Sequence, residues 1–174
     1  MQPRWLELDR RKVYCGGADT GPLFNAAEVN DVESTEMIRR QLAPNEKILP
    51  FVFLREERRG RSYSFVNYLN FLYEKGYINE AWLGGRNTAP FARNIKAPTR
   101  EFKPGDDAGK VLDEMLAVGK PIILMGNTVD DFMRQMEVEI SRRIRTRDDV
   151  HYAPEVDTLE MLNSISALAY SNDA

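Results

Sequence analysis

Four carboxylates fall close together in this chain: Asp106, Asp107, Asp113 and Glu114. On a helix a spacing of seven returns to nearly the same face, which pairs Asp106 with Asp113 and Asp107 with Glu114. Two carboxylates beside a bound ligand can divide into a nucleophile and an acid or base. The competing reading is a solvated helix whose first acids favour the positive end of its dipole. Three Gly-containing loops form a second constellation: Cys15-Gly16-Gly17-Ala18-Asp19-Thr20-Gly21, Gly84-Gly85-Arg86-Asn87-Thr88 and Gly126-Asn127-Thr128. Glycine lets a ligand approach the backbone, and a helix N-terminus favours an anion. Arginines form a third: Arg55, Arg58, Arg59 and Arg61, with Arg86 in the second glycine loop. Their planar guanidinium groups suit carboxylates and phosphates, and Arg61 or Arg86 would fit a 5′-phosphate. Glu56 and Glu57 interleave the first group, so a plain salt-bridged loop competes with a ligand role.

Composition narrows the chemistry. The chain has 174 residues, 17 Arg and 7 Lys against 27 acids, and a net charge of −3. A domain held by bulk nucleic-acid attraction is normally basic, so that class loses ground. The near-neutral total fits a small anionic ligand better than a polyanion. One cysteine, Cys15, excludes an internal disulfide and a multi-cysteine zinc site, and one histidine, His151, excludes a multi-His metal centre. No metal or cofactor is expected. Cys15 lacks a visible activating neighbour and reads as a small buried residue. The charged, interrupted residues 1–20 are neither a leader nor a membrane anchor, and no apolar run is long enough to span a bilayer. The expectation is a cytoplasmic protein with no membrane partner.

These groups need elements to position them. Short apolar runs at 12–17, 47–54, 80–85 and 121–126 read as strands. Stretches with helical spacing occupy 23–42, 64–77, 106–118, 128–147 and 157–169. Pro50 marks its strand as an edge or a kink. Thr128 with Asp131 reads as a capping box. Residues 86–104 read as irregular. The alternation predicts one α/β domain over 1–174, a three-layer Rossmann- or flavodoxin-like fold with a parallel sheet of four or five strands. Such sheets bind ligands outside the carboxyl ends of their strands, so all three glycine loops are expected on one edge. Tyr63 and Trp82 are expected to stack on a base, and most aromatics of 64–77 to be core. Arg142, Arg143, Arg145 and Arg147 read as closing a helix C-terminus. The helix at 157–169 is apolar on two sides and predicts a homo-oligomer interface.

Two fragments carry a resemblance. Val13-Tyr14 followed by Gly21-Pro22-Leu23-Phe24-Asn25-Ala26-Ala27-Glu28, and Asp107 through Gly119-Lys120-Pro121-Ile122-Ile123-Leu124, resemble the nucleoside 2-deoxyribosyltransferase-like family. The resemblance spans about a third of the chain. It implies a strand, a tyrosine, a Gly-Pro and a helix beginning Leu23-Phe24. It also implies a double displacement at the anomeric carbon of a nucleoside or nucleotide. Asp113 or Glu114 would be the nucleophile, Asp107 would protonate the base or hold the sugar, and Tyr14 would tune the nucleophile. Gly16, Gly17, Asp19, Gly21, Arg61, Gly85, Arg86, Asn87, Gly126 and Asn127 would bind the ligand. The sequence departs from the family pattern in the six residues between Tyr14 and Gly21 and in its missing Glu-x-Gly-x-Ala string. Two other readings compete: a non-catalytic nucleotide- or anion-binding module on the same loops, and a flavodoxin-like redox domain.

Overall fold

A computed structural model describes residues 13–15, 20–27, 29, 31–126 and 130–146, with the backbone alone at Cys15 and 144–146. In chain order the elements are β1 (Val13–Cys15), β2 (Pro22–Asn25), α1 (Val32–Leu42), β3 (Leu49–Phe53), a 3-10 turn (Glu56–Arg58), α2 (Arg59–Glu74), β4 (Ala81–Gly84), α3 (Ala89–Ala92), β5 (Thr99–Phe102), α4 (Ala108–Ala117), β6 (Ile122–Gly126) and α5 (Asp131–Thr146). They form one sheet in the order β1-β2-β6-β3-β4-β5. Five strands run parallel, as an alternating α/β pattern requires, and β1 joins antiparallel to β2 at one edge.

The central strands β3 (LPFVF) and β6 (IILMG) are buried at every position. Continuous apolar runs are what a parallel strand covered on both faces needs. One core packs Ile38, Leu42, Phe65, Leu69 and Leu72 of α1 and α2 against Val52, Leu83 and Ile123. The other packs Leu112 and Met115 of α4 and Phe132, Met133 and Met136 of α5 against Phe51, Phe53 and Leu124. The domain is therefore three-layered. The chain runs outward from β3 to β4 and β5 through α2 and α3. It then returns across the sheet through α4 to place β6 between β2 and β3. Right-handed crossovers put outward and returning helices on opposite faces.

Pro50 lies in a central strand, not at an edge. β3 meets the chain leading into β4 first at an isolated bridge, Ile48↔Ile78, and then from Phe51↔Trp82 onward. The offset grows by one residue between these pairings. Pro50 occupies that break, where its missing N–H costs the ladder least.

Three stretches differ from the expectation. Residues 22–25 form β2, with Leu23 and Phe24 both buried, and the helix begins only at Val32, capped by Asp31, whose Oδ1 accepts from the Ser34 amide at 2.7 Å. The irregular stretch 86–104 contains α3 and the edge strand β5. Asp130 accepts from the Phe132 amide at the start of α5, while Thr128 lies outside the described residues. The expected helix at 157–169 and His151 also lie outside them.

Candidate functional site

The carboxyl ends of the parallel strands converge on an edge built from the residues after β2, β3, β4, β5 and β6. Only part of the expected glycine constellation reaches it. β1 is antiparallel, so its carboxyl end at Cys15 faces the opposite edge. Gly21 sits at that opposite edge too, where a Cβ would collide with the Lys120 carbonyl and the Pro121 nitrogen. Its role is close packing of β2 on the approach to β6. Gly16, Gly17, Asp19 and Asn127 lie outside the described residues.

Gly85 and Gly126 do reach the expected edge, on either side of β3. Gly85 has φ +141°, and a Cβ there would lie 2.5 Å from the Leu54 carbonyl oxygen. Gly126 has φ +103°, and its Cβ would strike the Phe53 carbonyl oxygen. Both lack a side chain because the end of β3 presses on them. Arg86 and Asn87 follow Gly85 and are exposed.

β3 and β6 are neighbours whose following helices leave on opposite faces, α2 on one and α5 on the other. The gap between their carboxyl ends is the topological switch point of the sheet, the usual ligand position in open α/β folds. A shallow crevice lies there, lined by Phe53, Arg55, Arg58, Arg61, Ser62, Phe65 and Gly126. Ser62 is buried and fixes its wall. Its Oγ donates to the Arg55 carbonyl at 2.9 Å and accepts from the Arg55 amide at 3.1 Å. Arg55 donates through Nε to Glu57 at 2.7 Å. The Glu57 carboxyl is held below the usual carboxylate range by a backbone hydrogen bond and by Arg55, with Arg86 adding its field. Among the described residues Arg58, Arg59 and Arg61 have no ion pair.

A second hollow of about 230 Å³ opens between the start of α4 and α5, with Asp106, Asp107, Asp131 and Glu139 around it. Three of its four acids are engaged in structure. Asp106 accepts from the Lys103 amide at 2.8 Å. Asp107 is the N-cap of α4 and accepts from the amides of Gly109 at 2.9 Å and Lys110 at 3.3 Å. Glu139 accepts from Arg143 at 2.6 Å. No group of three or more His, Cys, Asp or Glu among the described residues forms a metal centre.

Asp113 and Glu114 lie on the exposed side of α4, away from the crevice. Asp113 accepts from Arg143 Nε at 2.9 Å, and Glu114 pairs with Arg100 at 2.8 Å. Asp106 precedes the helix, so the expected pairing of Asp106 with Asp113 on one helical face does not form. Arg143 also donates to the Gly109 carbonyl at 2.8 Å, which clamps α5 to α4. Its hydrogen bond to Asp113, helped by Glu139, holds its guanidinium above the ordinary pKa despite burial. Arg142 pairs with Glu139. Tyr14 is half-buried on β1 against the α4–α5 core.

The two expected stacking residues are packing residues. Trp82 is 2% exposed and lies against Phe102, with the Arg100 guanidinium 4.7 Å above its ring. Tyr63 meets Phe91 edge-on at 5.1 Å. Conversely, Phe71 and Tyr73, expected in the core, are each 39% exposed.

The sequence reading missed two arrangements. Asn25, at the end of β2, accepts from the Ala27 amide at 3.1 Å and donates to Glu137 of α5 at 3.2 Å. Glu36 and Arg39 of α1, Tyr68 of α2 and Tyr77 just beyond α2 form a polar cluster in which Arg39 and Tyr68 are buried. Its only advance signal is an Arg-Glu pair at helical spacing on a face that also carries Ile38 and Leu42.

With this geometry in view, similarity to known proteins decides the family. A family model described as the poly-gamma-glutamate synthase CapB C-terminal domain matches residues 13–152. The chain belongs to this family. A solved domain of a protein assigned as a UDP-N-acetylmuramate:L-alanyl-gamma-D-glutamyl-medo-diaminopimelate ligase from Haemophilus ducreyi 35000HP is also similar. It shares 10% identity over 75% of this chain and 97% of its own, with a TM-score of 0.46. No curated protein sequence matches the chain.

Membership in the CapB C-terminal family overturns the resemblance to nucleoside 2-deoxyribosyltransferases. The structure gives the reason at one of its two fragments: Leu23-Phe24 opens no helix but lies in β2. N-glycosidic chemistry goes with it, and so do the roles in that reaction assigned to Asp113, Glu114, Asp107 and Tyr14. The terms hydrolase and nucleoside transferase do not describe this chain.

Proposed function

We propose that this chain works in the synthesis of poly-gamma-glutamate, as a domain of the amide-forming machinery. The observation that carries this reading is the family match over 13–152. Amide formation joins an amino group to a carboxyl carbon, so the machinery must hold carboxylates. The strand carboxyl edge supports that task better than the acid-lined hollow does. Among the described residues its crevice is lined by three arginines and no acid, whereas a further carboxylate brought beside Asp106, Asp107 and Glu139 would be repelled. On the same reading we infer that the chain works in the cytoplasm. A single cysteine in 174 residues supports that, and no helix among the described residues is long and apolar enough to cross a membrane.

Deletion of the gene in its source cells tests the proposal. Polymer is recovered and identified by its susceptibility to a γ-glutamyl hydrolase. The expected result is loss of the polymer and its return when the intact gene is restored. Unchanged polymer after deletion overturns the reading.

A further inference from the structure

We propose that Arg58 and Arg61 bind successive carboxylates of a γ-linked glutamate chain laid across the β3–β6 crevice, with Arg86 flanking it. This deepens, and rests on, the reading of the chain as a poly-gamma-glutamate synthase domain.

Position comes first. The crevice stands at the switch point of the sheet, where the carboxyl ends of two neighbouring strands meet. Charge comes second. Arg55 is matched by Glu57, but Arg58 and Arg61 have no carboxylate partner among the described residues, and no acid among them lines the crevice. Arginines that line one crevice without a facing acid repel each other, and an anion relieves that repulsion. Shape comes third. The enclosed space is only about 10 Å³, room for about one water. A ligand held here would therefore lie across the surface.

Spacing then selects the kind of chain. Arg58 ends the 3-10 turn and caps α2, and Arg61 lies in the first turn of that helix, so the two are three residues apart on one connection. A γ-linked chain carries each free carboxylate directly on its main chain, separated from the next by a long main-chain repeat. Two guanidinium groups about one turn apart can each take one of them. An α-linked chain holds its carboxylates on flexible side chains that alternate in direction, and fixing two of them costs more side-chain entropy. The chain's net charge of −3 limits the contact to a short stretch.

The test is fluorescence anisotropy with a labelled γ-linked glutamate oligomer at low salt, using the full chain. Arg58→Ala/Arg61→Ala is expected to weaken binding by roughly tenfold. A control, Lys47→Ala/Lys120→Ala, removes the same charge at the opposite edge of the sheet and is expected to bind like the wild type. Circular dichroism melting checks that both variants fold. Absence of binding by the wild type, equal weakening in both double variants, or equal affinity for an α-linked oligomer overturns the assignment. The cellular assay separates the two proposals. If deletion abolishes polymer and Arg58→Ala/Arg61→Ala restores it in full, the arginine site fails and the family role stands. If deletion leaves polymer unchanged, the family role fails whatever the oligomer does in vitro.

Discussion

Arg39 is 2% exposed, an unusual place for a guanidinium. It is tolerated because its neighbours answer its charge. Glu36, one turn earlier on α1, receives its Nε, the Tyr77 ring lies 4.0 Å below it, and Tyr68 donates its hydroxyl to Glu36 at 3.1 Å. Burial works against the Arg39 charge, but Glu36 outweighs it and holds the guanidinium above its ordinary pKa. One nitrogen, Nη1, is buried without a hydrogen-bond partner, which keeps the cluster from being fully satisfied. Burial, then the Glu36 carboxylate, push the Tyr68 phenol well above the ordinary tyrosine range. Below about pH 10 the phenol keeps its proton in both folded and unfolded chains. Above that the unfolded chain releases the proton while the folded one retains it, so stability falls as pH rises. Tyr68→Phe is therefore expected to cost about 1 kcal/mol at pH 8 through the lost hydrogen bond. The gap to the wild type should close as pH approaches about 11. Urea unfolding of both proteins at each pH measures this, and parallel decline of the two would remove Tyr68 as the titrating group.

At the scale of elements, two glycines near the candidate site play opposite parts. Gly126 ends β6 at φ +103° with the Phe53 carbonyl where its Cβ would stand. Gly126→Ala is expected to cost at least about 2 kcal/mol, from both the left-handed backbone and the collision. Gly60, in the first turn of α2, has nothing within 4 Å of its Cβ position. Gly60→Ala is expected to stabilise by about 0.5 kcal/mol, chiefly by restricting the unfolded chain. Thermal melts of the two variants should therefore move in opposite directions. A rise in melting temperature for Gly126→Ala would show that β6 can end without its glycine. These elements also show what the sequence made legible. β3, α2, β4, α4, β6 and α5 announce themselves because each has one clear period or one unbroken apolar run. β2 and β5 do not. β2 is four residues long and runs into a helical pattern that begins at Val32, so the two merge into one apparent period. β5 reads TREF, exposed at its first three positions, because an edge strand buries little. The strand at β1 was legible, but its antiparallel direction was not, for a different reason. Strand direction is set by pairing across the sheet, and pairing leaves no mark in three residues. That single direction moved Gly21 to the opposite edge, whereas Gly85, Arg86, Gly126 and Arg61 fell where an α/β alternation puts them.

The whole molecule carries 27 acids and 24 basic residues, and its isoelectric point is near 5.4. Many charges cancel locally: Glu36, Glu57, Glu74, Asp113, Glu114 and Glu139 each face a cation. The arginines at the β3–β6 crevice that no acid among the described residues pairs with thus form a positive region on a negative body. An acidic oligomer approaching at pH 8 is drawn by the crevice and repelled by the rest. Lowering the pH toward 5.4 removes the net negative charge of the body. Guanidinium groups do not titrate in this range, and the main-chain carboxylates of a γ-linked chain remain ionised until about pH 4. Affinity for the γ-linked oligomer is therefore expected to rise on the order of threefold from pH 8 to about pH 5, and to collapse below about pH 4. Added salt should flatten the rise, because the repulsion it relieves is long-range and screened over about 10 Å at 0.1 M. Anisotropy titrations across this pH series at low and high salt measure both effects. An affinity that is flat from pH 8 to 5 at low salt, or highest above pH 7, would mean that the oligomer does not sense the balance between the crevice and the acidic body.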